Sequence, residues 1–127
     1  MESNDLIPQL RHAMNLLDRK NRSAESERLR LTNLISSYDL AAVESSLESN
    51  VDRLSQVVSS IRARTELVGL LEDVVGSAID LDSFRSRLTE SIRGLDRNLR
   101  VVEMPNSRRR GRVEVLGEFE EILEVIS

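Results

Sequence analysis

Residues 40–75 read LAAVESSLESNVDRLSQVVSSIRARTELVGLLEDVV, with Leu40, Leu47, Leu54, Ile61, Val68 and Val75 recurring at every seventh position. Val43, Val51, Val57, Val58 and Leu71 form a second, less regular line three or four residues away. An α-helix gathers apolar side chains on one side at this spacing. At 1.5 Å per residue such a helix is about 54 Å long, whereas a compact chain of 127 residues makes a globule only about 36 Å across. The helix overhangs a sphere. The expected fold class is therefore all-α, an elongated antiparallel helical bundle or coiled coil with one long central helix.

Working outward, Asn4 or Asp5 can cap a first helix, Pro8 is tolerated in its opening turn, and Leu6, Ile7, Leu10, Ala13, Met14 and Leu17 fall on one side. The polar run 18–23 suits a turn, yet no glycine precedes Gly69 and no proline lies between Pro8 and Pro105, so nothing compels one. A break is better supported at residues 36–39. There the Leu31, Leu34, Ile35, Tyr38 line falls out of phase with the Leu40 series, and Ser36 with Asp39 makes a weak capping box.

Downstream, residues 67–81 are apolar nearly all round. Gly69 and Gly76, two helical turns apart, suit a close crossing, but Gly76 reads better as a helix terminator, with Asp80 and Asp82 as caps for the next helix. That third helix carries Leu81, Leu88, Leu95 and Val102 in one series and Ile92 and Leu99 in the other, interrupted only by Arg85, and it ends before Pro105. A short connection makes it antiparallel to the C-terminal half of the long helix.

The chain divides on this reading into a helical bundle or coiled-coil domain (1–104), an arginine-rich loop (105–112) and an acidic amphipathic C-terminal helix (113–127). Val113, Leu116, Phe119, Ile122, Leu123 and Ile126 form the apolar side of the last. A short hairpin pairing residues 99–104 with 112–116 is the weaker alternative.

Composition narrows the chemistry. Absence of cysteine excludes disulfides, thiolate catalysis and Cys-based zinc sites, and the single histidine, His12, excludes sites needing two imidazoles. Only Tyr38, Phe84 and Phe119 are aromatic, too few for a base-stacking platform. The Asp80-x-Asp82 pair lacks the glycine and third ligand of a calcium loop. No cofactor, metal or small-molecule substrate is expected, nor an enzyme, because the paired carboxylates Glu118/Glu121 and Glu72/Asp73 come with neither nucleophile nor phosphate loop. The polar N-terminus lacks a signal-peptide pattern and no stretch is long enough for a bilayer, so an intracellular protein, cytoplasmic or nuclear, without a membrane partner is expected.

Three features are candidates for function. Leu40, Leu47, Asn50, Val51, Leu54, Val58, Ile61 and Val68 are the expected protein interface, with Asn50 on the line of Val43, Val57 and Leu71 where a buried amide would fix register. Arg108, Arg109, Arg110 and Arg112 can bind phosphates or pair with the acidic tail that follows them. Leu116, Phe119, Leu123 and Val125 have a spacing that looks like a leucine-rich nuclear export signal or docking helix. The function expected is a non-enzymatic oligomerisation or adaptor protein that self-associates or binds partner helices. The alternative is a nucleic-acid-associated oligomer or a small nuclear shuttling or viral accessory protein.

Overall fold

The structure is a computed structural model that describes residues 3–37 and 44–127, with side chains for 6–37 and 46–127. Its described residues form four helices and no strand: α1 (Ser3–Ser36), α2 (Glu44–Val75), α3 (Leu81–Val101) and α4 (Asn106–Ile126). The all-α bundle is as expected, and α2 occupies the described part of the 40–75 stretch read as the long helix, although α1 is as long. At 34 and 32 residues, α1 and α2 run to about 51 and 48 Å, against about 32 Å for α3 and α4. The bundle thus has two long helices rather than one. Leu40, Val43 and Tyr38 lie outside the described residues.

α1 begins at Ser3, ahead of both expected caps, and continues without a break through residues 18–23 to Ser36. Good helix formers and the absence of glycine carry it across that polar run. It stops at the joint where the apolar phase changes. α2 ends as Gly76 suggested, although the left-handed residue is Ser77 (φ 64°). The Ala78 amide donates to the Asp73 carbonyl and the Ser77 amide to Val74, a Schellman closure. α3 starts at Asp80, whose carboxylate accepts from the Ser83 amide at 2.7 Å. This bond holds the Asp80 carboxyl below the usual range.

Cross-helix bonds give the directions. Asn21 meets Thr65 and Glu27 meets Arg53, so α1 and α2 are antiparallel. Asn98 with Arg112, and Arg85 with the Ile126 carbonyl, set α3 antiparallel to α4. Gln56 with Arg110 and Arg64 with Glu118 set α4 parallel to α2. The result is an up-down-up-down bundle squashed along one diagonal, since α2 packs on α1 and α4 far more than on its sequence neighbour α3.

Gly111 explains the squash. A Cβ there would sit 2.4 Å from the Gln56 carbonyl oxygen and 3.0 Å from the Ser59 Cβ. The close crossing assigned to Gly69 is made here instead; Gly69 faces open space. Ser59 and Ser60, buried, supply the small surface opposite, and the Ser59 hydroxyl donates to the Arg108 carbonyl at 2.9 Å.

The core sits where all four helices overlap: Leu10 and Leu17; Leu67, Val68, Leu71 and Val74; Phe84 and Leu88; Val115, Phe119, Ile122 and Ile126. The buried line on α2 is Val57, Ser60, Arg64, Leu67, Leu71 and Val74, not the Leu47 heptad, of which only Val68 is buried. On α4, Val115 takes the core position expected for Val113, which is exposed. The last turns of α1 and the first two turns of α2 extend past the α3–α4 turn as a short two-helix arm, because Gln56 already lies level with Arg110 in the second turn of α4.

Candidate functional site

Two polar features flank α2. The first is an open groove of about 580 Å³ between α2 and the C-terminal half of α3, closed at its far side by the start of α4. Its apolar wall is Val51, Leu54 and Val58, with Leu95 across from it, and its charged lining is Arg62, Arg108 and Arg112 with one acid, Glu66. It exists because α3 packs on α2 much less closely than α1 and α4 do, its polar contacts with α2 among the described residues being Glu66–Ser91 (2.8 Å) and Asp73–Arg87. The groove unites two features that are separate in sequence, the heptad stripe and the arginine cluster. Leu47, Asn50, Leu54, Val58 and Ile61 are half-buried and Val51 is 45% exposed, whereas Val68 belongs to the internal core. Leu40 lies outside the described residues.

The arginine cluster is not a loop. Residues 106–112 are the first turns of α4, which extends the expected C-terminal helix by about two turns and excludes the 99–104/112–116 hairpin. Pairing of these arginines with the acidic tail is also overturned: among the described residues none of Arg108, Arg109, Arg110 and Arg112 forms an ion pair. Arg109 donates to the Leu99 carbonyl and Arg112 to the Asn98 amide oxygen, both at the C-terminal end of α3. Four cations in the opening turns of α4 oppose its macrodipole, and α3's electronegative end draws two of them across. Arg108 and Arg110 stay exposed.

The glutamates of α4 have other partners, and they make the second feature. Arg64, 1% exposed, donates through Nε to Glu118 Oε1 (2.8 Å), through Nη2 to Glu118 Oε2 (3.1 Å) and through Nη1 to Asn21 Oδ1 (3.2 Å). The Lys20 ammonium bridges Glu118 (2.6 Å) and Glu114 (3.2 Å). The hydrogen bond it donates to Glu118 holds the Lys20 amine above its ordinary range, against the opposing effect of burial. Two cations and two anions from three helices thus form a neutral network, and no described buried polar side-chain atom lacks a partner. Arg64 was missed in sequence. The signal was available: it lies on the same seven-residue line as Val43, Asn50, Val57 and Leu71.

The export-like set is split by the fold. Phe119 is in the core, Leu116 and Leu123 are half-buried and Val125 is exposed. With Phe119 buried against the other helices, α4 as packed does not present all four to a receptor. His12 is exposed on α1. No cluster of metal-ligating side chains and no helix long and apolar enough to cross a membrane occurs among the described residues.

No protein-family model, curated protein or solved structure matches this chain.

Proposed function

We propose that this chain is a non-enzymatic helical adaptor that docks an amphipathic helix, from itself or from another protein, in the groove beside α2. The observation that carries this reading is the groove's composition. Val51, Leu54 and Val58 form an apolar strip one helix wide, and the arginines that rim it have no carboxylate partner among the described residues. Helix-in-groove recognition uses such a strip for affinity and its flanking charges for orientation and partner choice. An occupant with Leu or Val at three- and four-residue spacing and glutamates beside them fits, because three arginines outweigh the single Glu66 in the lining.

A second reading rests on Arg108 and Arg110, which are exposed and unpaired with acids: a nucleic-acid-associated oligomer that multiplies weak phosphate contacts. One set of titrations separates the two. A fluorescent, designed acidic amphipathic peptide is expected to bind saturably, and Val58→Glu to abolish this. A labelled DNA duplex would show log affinity falling with log salt at a slope near −3.6 if about four phosphates are engaged, and Arg108→Gln with Arg110→Gln would reduce the slope by about 1.8. Duplex binding with that salt slope and no peptide binding would overturn the adaptor reading.

A further inference from the structure

The groove beside α2 does not end at Leu95. A second open hollow of about 680 Å³, on the α3 side, shares Glu66 and Leu95 with it, so the two form one trough between α2 and α3. Along α2 the lining runs from Val51 to Glu66, about 22 Å or four helical turns. Its α3 wall runs from Glu90 to Asn98, about 12 Å.

Charge distinguishes this trough. Arg62 stands on the α2 wall, Arg93 and Arg97, one turn apart, on the α3 wall, and Arg108 and Arg112 at the α4 end. Acids outnumber bases in the chain, 22 to 18, yet among the described residues none of these arginines forms an ion pair. The acids in the lining are Glu66, which accepts from the Ser91 hydroxyl at 2.8 Å, and Glu90; the nearby Asp96 is paired with Arg100 at 3.2 Å. Arginines therefore outweigh glutamates on both walls taken together. Among the cations the lining is apolar or small, with Val51, Val58 and Leu95 and with Gly94 inside α3. A Cβ on Gly94 would meet nothing within 4 Å, so no contact within the bundle requires this glycine. Gly69 and Gly117 are equally open, but Gly94 is the one that lines the trough. Glycine inside a helix is destabilising; what it offers here is close approach to the α3 backbone.

We propose that the trough seats an acidic amphipathic helix of another protein, about 15 residues long, with carboxylates on both edges of its apolar stripe. The stripe lies on Val51, Val58 and Leu95. One acidic edge meets Arg62, the other, at four-residue spacing, meets Arg93 and Arg97, and the partner's backbone crosses α3 at Gly94. Complementary charge selects such a partner over a basic or neutral helix. The acidic amphipathic helix of this chain, α4, is not the occupant, because its apolar side, Val115, Phe119, Ile122 and Ile126, is in the core. This inference rests on the docking reading above and extends the site from α2 to α3.

Fluorescence anisotropy with two labelled helical peptides of about 15 residues tests it, one carrying glutamates on both edges of a leucine stripe and the other with glutamine along one edge. Wild type should bind the first about tenfold more tightly; equal affinity would overturn the two-walled site. Arg93→Glu with Arg97→Glu should weaken the first peptide by about tenfold or more, with helicity by circular dichroism unchanged. If that variant binds like wild type while Val58→Glu abolishes binding, the docking reading survives on α2 alone and this inference falls. Gly94→Gln should raise the urea midpoint through better helix propensity and still weaken binding; unchanged affinity would overturn the crossing at Gly94. Failure of wild type to bind either peptide overturns this inference and the docking reading together. Self-association in sedimentation equilibrium that Arg93→Glu with Arg97→Glu abolishes would overturn a foreign partner.

Discussion

At the scale of single residues, Arg64 holds the most unusual position in the bundle. Removing a guanidinium from water costs several kcal/mol, and only a forked carboxylate with further hydrogen bonds offsets this. Glu118 supplies the fork, Asn21 takes a further N–H, and Lys20 neutralises the remaining negative charge of Glu118 and Glu114. Deleting one partner strands the other. Arg64→Ala and Glu118→Ala are each expected to destabilise by about 3 kcal/mol in urea denaturation. The double variant should lose about 1.5–3 kcal/mol less than the sum of the two. Strict additivity would show that the pair is not coupled. The residue type alone concealed this role, because an arginine in an arginine-rich chain reads as surface. Position on the Asn50–Val57–Leu71 line is what marks it.

Among the elements, α4 departs furthest from its sequence reading. Arginines at the start of a helix and glutamates toward its end run against the macrodipole, each worth about 0.3–1 kcal/mol, so local electrostatics disfavour a helix beginning at Asn106. Tertiary contacts reverse the balance. The α3 C-terminus takes up Arg109 and Arg112, and Gly111 lets the first turns seat directly on Gln56 and Ser59. Gly111→Ala tests this. Alanine improves intrinsic helix propensity by about 1 kcal/mol, yet its Cβ would overlap a backbone oxygen that cannot rotate away. Net destabilisation of about 1–3 kcal/mol is expected from overpacking, measured as a fall in the urea midpoint. A gain in stability would show that α4 does not approach α2 this closely. Gly117 faces open space, so Gly117→Ala serves as the control and should stabilise.

For the whole molecule, ion pairs tie the long α1–α2 hairpin together and to α4, and they set the response to pH. Glu27 accepts from Arg53, which holds its carboxyl below the ordinary range. A depressed carboxyl contributes stability that is present above its unfolded value and is lost as pH falls through the folded one, so this contribution begins to decline at about pH 4.3 and is lost at lower pH. Lys20, raised by Glu118 and Glu114, contributes stability that is present below its unfolded value of about 10.4 and is lost as pH rises through the folded one. Both pairs are partly solvated, so each limb amounts to no more than about 1 kcal/mol. Glu27→Gln should flatten the acid limb of stability against pH and Lys20→Met the alkaline limb, read by urea midpoints from pH 3 to 11. Unchanged limbs in both variants would mean that neither pair orders its helix.

Four helices, their antiparallel succession, the joint after Ser36, the Asp80 cap and the end before Pro105 follow from periodicity, capping chemistry and glycine and proline placement, all of which act within one or two turns and are written locally. Tertiary structure alone decided which of α2's two seams is internal. A seven-residue repeat states that a face is apolar, and the choice of face depends on a partner distant in sequence. Here Gly111 against Ser59 and Ser60, and Glu118 against Arg64, turn the Val57–Val74 line inward. The more regular Leu47 heptad stays half-buried apart from Val68, and only Leu54 of it lines the groove. The same long-range pairing made a helix of the arginine cluster, because what stabilises its first turns is the end of α3 and not its own residues.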